Sequence, residues 1–218
     1  MKLALLAVGV VLAAQAPFRG GEVRLPADID LERESVAAQT LLFENEFVRV
    51  WQITRPPALR ELFYRVNEPT LFIVSSNQAF MAKGGTVTLR NSGYRVDLKF
   101  TPGPERKDAH DALKVTPGSH RLVFENPYVR VLLVNVPPGA KEQIHLHPYP
   151  SFFLRDSEFA AMRYYTPDGK VEERKRKPKP TKPTVMWLEP EPLHSVENID
   201  SIATPSLRVE LKLQQVRR

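Results

Sequence analysis

The sequence predicts an all-β protein built from two copies of one unit, each closed into a barrel or jelly roll. Three observations predict it. A seventeen-residue segment returns 81 residues later, the apolar runs are short and strand-like, and turn signals punctuate them at close intervals. Composition agrees. Among 218 residues, 42% are hydrophobic, enough for a packed core, and 20 prolines against 10 glycines favour many short elements.

The chain opens on Met1-Lys2 and the apolar run Leu3 to Ala14. A basic start, about a dozen apolar residues and small residues at the end describe a secretory signal peptide, assigned to residues 1–16. The run is too short to span a bilayer, which takes about 20 residues. Ala14-Gln15-Ala16 has the form of a cleavage box, although Pro17 after it resists signal peptidase. The expectation is a secreted or periplasmic protein with no membrane span in the mature chain. Absence of cysteine excludes thiol catalysis, cysteine metal sites and disulfides.

The repeat pairs LLFENEFVRVWQITRPP, residues 41–57, with LVFENPYVRVLLVNVPP, residues 122–138. Nine of the seventeen positions are identical, including Phe43-Glu44-Asn45 with Phe124-Glu125-Asn126 and Val48-Arg49-Val50 with Val129-Arg130-Val131. The units are placed at 27–115 and 116–218. A short helix is expected within Leu31 to Leu42. Strands are expected at Thr70–Val74, Thr86–Leu89, Tyr94–Phe100, Ser151–Leu154, Ala160–Tyr165, Thr184–Leu188 and Leu207–Leu213. Tyr164 to Val171 reads as a hairpin turning at Asp168-Gly169.

The formal charge is +6, much of it in the run Lys170 to Lys182. That run interleaves prolines rather than aromatics, so it reads as a solvated strand and loop, and no nucleic-acid partner is expected.

Five histidines remain: His110, His120, His145, His147 and His194. On a strand, His145 and His147 project to one face, close enough to share an ion. His194, in Pro190-Glu191-Pro192-Leu193-His194, is the candidate third ligand. His110 and His120 read as ordinary loop residues.

Gly139 followed by His145-Leu146-His147, and Pro190 followed by His194 and Asn198, resemble the two motifs of the cupins, a family of double-stranded β-helix barrels. The resemblance covers about residues 120–213 and extends more weakly over 40–115. It implies two cupin-like jelly-roll barrels, the first degenerate. It further implies a mononuclear divalent metal (iron, manganese, zinc or nickel) on His145, His147 and His194, a small-molecule ligand and a homodimer paired through sheets. Two departures stand out. No acid follows His147 until Asp156, leaving Glu142 or Gln143 as substitutes. At offset 81, His145 and His147 fall on Tyr64 and Val66, and His194 falls near Leu113. The function classes left open are a metal-dependent oxygenase, isomerase or lyase, with Tyr149, Tyr164 and Glu197 as candidate helpers, a non-catalytic ligand-binding barrel, and a structural barrel.

Overall fold

A computed structural model describes residues 31–213. The expected leader, residues 1–16, lies outside the described residues, as does the start of the first expected unit at 27–30. The described residues are almost entirely antiparallel β-structure, with two short helices.

The helix α1 (Leu31–Ala37) falls where a short helix is expected and leads into a five-stranded sheet. Its order is β1 (Gln39–Glu44), β2 (Val48–Ile53), β7 (Gly93–Leu98), β4 (Thr70–Ser75) and β5 (Gln78–Ala82). Beside it lies the pair β3 (Leu62–Val66) and β6 (Gly85–Leu89). A connection carrying α2 (Ala112–Val115) leads to a second five-stranded sheet. Its order is β8 (His120–Glu125), β9 (Val129–Val134), β16 (Ser206–Leu211), β11 (Ser151–Arg155) and β14 (Thr184–Leu188). Facing strands are β10 (His145–His147), β15 (Glu191–Asn198), β12 (Met162–Tyr165) and β13 (Val171–Arg174). The two five-stranded sheets therefore have matching orders, strand for strand.

The repeated Phe-Glu-Asn has a local cause. The side-chain oxygen of Asn45 accepts from the amides of Phe47 and Val48, both at 2.9 Å, and Asn126 does the same for Tyr128 and Val129 at 2.8 and 2.9 Å. Each asparagine thus closes the turn between a pair of strands by mimicking a backbone acceptor. Both hairpins carry an irregularity just before that turn, between Leu41 and Phe43 and between Leu122 and Phe124.

A second sequence match emerges from the register. Val96 pairs with Val50 as Val209 pairs with Val131. This aligns Arg95-Val96-Asp97-Leu98-Lys99 with Arg208-Val209-Glu210-Leu211-Lys212. The ion pairs match too: Lys99 reaches Glu44, and Lys212 reaches Glu125 at 2.6 Å.

The halves diverge after the fourth strand. In the first, β4 turns directly into β5. In the second, residues 156–183 intervene between β11 and β14 and carry the β12–β13 hairpin. Its turn at Asp168-Gly169 matches expectation, with Gly169 at φ 82°. This insertion corrects the place of His194 in the first half. His145 pairs with His194 and Tyr64 pairs with Val87, so Val87, not a residue near Leu113, stands where His194 stands.

One apolar core lies between the two five-stranded sheets. Val48, Val50, Leu71, Ile73 and Val96 from the first pack with Val129, Val131, Phe152, Val209 and Leu211 from the second, all essentially inaccessible. Trp187 stacks against Phe43 and Phe47 from the other half, each at 6.0 Å. Burying this much apolar surface is the dominant stabilising term in the fold.

Candidate metal centre

Strands β10 and β15 run side by side and bring His145, His147 and His194 together on the inner face of the second half. The His145 and His194 rings lie 4.5 Å apart between centroids, and His147 lies 5.2 and 5.8 Å from them. His145 is fully buried, and His147 and His194 nearly so. The pleat does this: residues two apart on β10 face one way, and its antiparallel neighbour supplies the third ring.

His120 corrects the expectation of an ordinary loop residue. It begins β8, is buried, and its ring lies 5.0 Å from His145 and 5.1 Å from His147. Ligand atoms of His120, His145 and His147 lie within 4.8 Å of one another, and so do those of His147, Glu191 and His194. The local signal Thr116-Pro117-Gly118-Ser119 reads as a turn, and it is one; the strand starts immediately after it. His110 stays at the surface, 57% exposed, beside Asp108.

The tautomers follow from the hydrogen bonds. His145 Nδ1 donates to the Gln143 carbonyl at 2.9 Å, and His194 Nδ1 to the Pro192 carbonyl at 2.7 Å. His147 Nδ1 bonds the Glu210 carboxylate at 2.8 Å. His120 Nδ1 lies 2.9 Å from the Thr116 hydroxyl, whose own proton goes to the Ala112 carbonyl, so the ring is the donor there. All four rings thus carry their proton on Nδ1 and present a bare Nε2 lone pair, the arrangement in which imidazole ligates a metal. His145 Nε2 is buried with no hydrogen-bond partner.

Burial lowers the His145 pKa to about 4 and pushes that of His147 well below the ordinary value, so both rings are neutral at pH 7. Glu210 sits fully buried between Arg130, at 2.5 Å, and His147; burial raises its pKa against the pull of Arg208 and Arg130. Arg130 in turn meets Asp111 at 2.8 Å, so a charged chain runs from the interdomain connection to the His147 ring.

The acid absent after His147 has two substitutes in space. Glu142 lies beside the cluster, its carboxylate held by Ser119 and by His120 at 3.2 Å, and 3.9 Å from His145 Nε2. Burial would raise its pKa, but the hydrogen bonds from His120 and Ser119 bring it down. Glu191, which sequence reasoning passed over, pairs in register with His147. Gln143 is excluded as a ligand by position: β10 begins only at His145, and the Gln143 side chain is exposed.

The rings line a small cavity of about 60 Å³. Its other wall is apolar, with Phe153, Phe159, Met162, Met186 and Leu188. Tyr164 lines it, as its candidacy requires. Tyr149 does not; its hydroxyl accepts from the Arg106 amide at 2.7 Å and its ring lies under Arg130. Glu197 is also elsewhere, bonded to Tyr165 and paired with Arg163 at 3.6 Å.

No family model matches the chain, and no curated protein does. Solved structures do. A Cupin 2 conserved barrel domain protein from Leptotrichia buccalis matches at 13% identity, with 80% of this chain, 88% of that one and a TM-score of 0.36. AerE from Microcystis aeruginosa matches at 8% identity over 80% and 97%, with a TM-score of 0.40. A cupin domain from Bordetella pertussis Tohama I matches at 18% identity over 43% of this chain and 91% of that one, with a TM-score of 0.35. Two of the three are described as cupins, the fold that the sequence motifs resemble; the chemistry has to be read from the residues.

Proposed function

We propose that the second half is a mononuclear metal site that acts on a small molecule, with His145, His147 and His194 as ligands and His120 completing the ring of imidazoles. The observation that carries this is the convergence of ligand atoms: those of His120, His145 and His147 lie within 4.8 Å of one another, as do those of His147, Glu191 and His194, and His145 Nε2 is buried with no hydrogen-bond partner among the described residues. Lone pairs gathered in a desolvated space repel one another, and a bound cation would relieve that repulsion. Glu142 and Glu191 lie beside the rings, and their carboxyl groups would offset part of a cation's charge.

A divalent ion held by imidazoles supplies a Lewis acid with positions open to substrate and water, chemistry fitted to an oxygenase, isomerase or lyase. The chain's own part is separable from that. Glu210 and the Gln143 and Pro192 carbonyls fix each ring's tautomer and direction, and the apolar wall excludes bulk water. Glu142, held by Ser119 and His120 as a carboxylate lining the cavity, is placed to accept a proton there.

The same reading takes the chain as two copies of one unit meeting near residue 116, and as an exported protein cleaved before Pro17. The test of the metal site is elemental analysis of protein purified without chelator and then dialysed. One iron, manganese, zinc or nickel per chain is expected; metal-free protein that stays metal-free when incubated with each ion rejects the site. N-terminal sequencing of the exported product, expected to start between Ala14 and Pro17, tests the address.

A further inference from the structure

Arg208 is the side chain that the metal reading leaves unexplained. It projects from β16, is 2% exposed, and lines the histidine cavity. Its Nη1 bonds Glu191 at 2.5 Å, and its Nε lies 3.7 Å from Glu210, beyond hydrogen-bond reach. Nη2 has no hydrogen-bond partner among the described residues. A buried guanidinium nitrogen without an acceptor is costly.

We propose that the cavity takes a small monocarboxylate, with one carboxylate oxygen accepting from Arg208 Nη2 beside the imidazole cluster. This rests on the reading of the cavity as the ligand site and adds the class of ligand. Two features converge on it. The donor is a guanidinium, whose planar fork matches a carboxylate. The volume sets the size. About 60 Å³ holds roughly four or five water-sized groups, which suits an acid of two or three carbons. Its short chain would rest on the apolar wall of Phe153, Met162 and Leu188. Arg174 also lines the cavity, with its guanidinium 4.0 Å above the Tyr164 ring and paired with Glu172 at 2.7 Å.

The experiment is calorimetric titration of the full protein with acetate, propionate and, as the neutral isostere, acetamide. It is run on metal-loaded protein and on protein treated with chelator, after metal content has been measured separately. One carboxylate per chain is expected, with acetamide at least about tenfold weaker. Arg208→Lys should weaken acetate about tenfold and Arg208→Met should remove its binding. Should these variants fail to fold, the ¹⁵N resonance of Arg208 Nε in the wild-type protein decides. Movement on adding acetate supports the contact, and an unmoved resonance overturns it. Equal binding of acetate and acetamide, or acetate affinity unchanged in Arg208→Lys, also overturns the proposal. One ion per chain with no carboxylate bound rejects the anion site and leaves the metal site intact. Arg208-dependent acetate binding in protein that never takes up metal does the reverse.

Discussion

The two halves use one frame to opposite ends. In the second, His145, His147 and His194 meet on β10 and β15; in the first, the same register positions hold Tyr64, Val66 and Val87. The last strand repeats the contrast. Glu210 bonds His147 and Arg130, whereas Asp97, its counterpart, accepts from Trp51 at 3.0 Å, Thr70 at 3.2 Å and Arg95 at 2.7 Å. A carboxylate at this position holds a ring of the histidine cluster in one half and serves sheet cohesion in the other. The first half also lacks the hairpin that walls the second cavity; Phe72 packs against Tyr64 and Phe80 in that region, at 6.2 and 5.3 Å. Filling the interior with aromatics replaces a binding space by a core.

The largest expected effect tests where metal capacity resides. His145→Ala with His147→Ala should abolish metal binding, while Tyr64→Phe and His110→Ala leave one ion per chain. A stoichiometry near two in the wild type, or retention of metal in the double variant, breaks the contrast between the halves.

Next comes the acid on the last strand. Glu210→Ala strands Arg130 in the interior and frees the His147 ring, so stability should fall by about 3–5 kcal/mol and metal affinity by tenfold or more. Asp97→Ala should lower stability by denaturant melt and leave metal affinity unchanged. Equal loss of affinity in the two variants would make the second half's arrangement no more than structural.

The third expectation concerns pH and metal. In metal-free protein, burial depresses the His145 pKa to about 4 against about 6.5 in the unfolded chain. The unfolded state therefore binds the extra proton between those values, and stability should be full above about pH 6.5 and decline as pH falls toward 4. One such group accounts for about 3 kcal/mol. Saturating metal at about a hundredfold over Kd adds roughly 3 kcal/mol, a rise in Tm of about 5–10 °C that a chelator removes. The counterpart position in the first half does not titrate in this window: burial pushes the Tyr64 phenol up to about 12. A flat stability profile from pH 7 to 4 would show that the rings are not neutral in the folded state.

The smallest effect compares equivalent ion pairs. Lys212, 8% exposed, and Lys99, 24% exposed, meet Glu125 and Glu44. Lys212→Ala should cost about 1 kcal/mol and Lys99→Ala less, because solvent screens the second pair more. Thermal melts of the two variants check the order.

Much of this was legible in the chain. The Phe-Glu-Asn repeat marks two hairpins because an asparagine closes each turn locally, and local causes leave local signals. The pair His145 and His147 was legible because strand periodicity puts both on one face. His120 was not, because its role depends on Glu142 and on rings more than twenty residues away, and the turn before it is the stronger local signal. Glu191 was missed for the same reason: only the register of β10 against β15 sets it beside His147. The Arg-Val-Asp-Leu-Lys and Arg-Val-Glu-Leu-Lys match was in plain view, but the inserted hairpin changes its offset, so a search at 81 residues passes over it.

The core shared by the two large sheets has a consequence for concentration. Had the halves been separate chains, covering Phe152 and its neighbours on the second five-stranded sheet would depend on how much partner was present. The residues between β7 and β8 tether one half to the other, so the encounter is intramolecular and dilution does not reverse it. A protein released into a large, unregulated volume would keep its second sheet backed at any abundance.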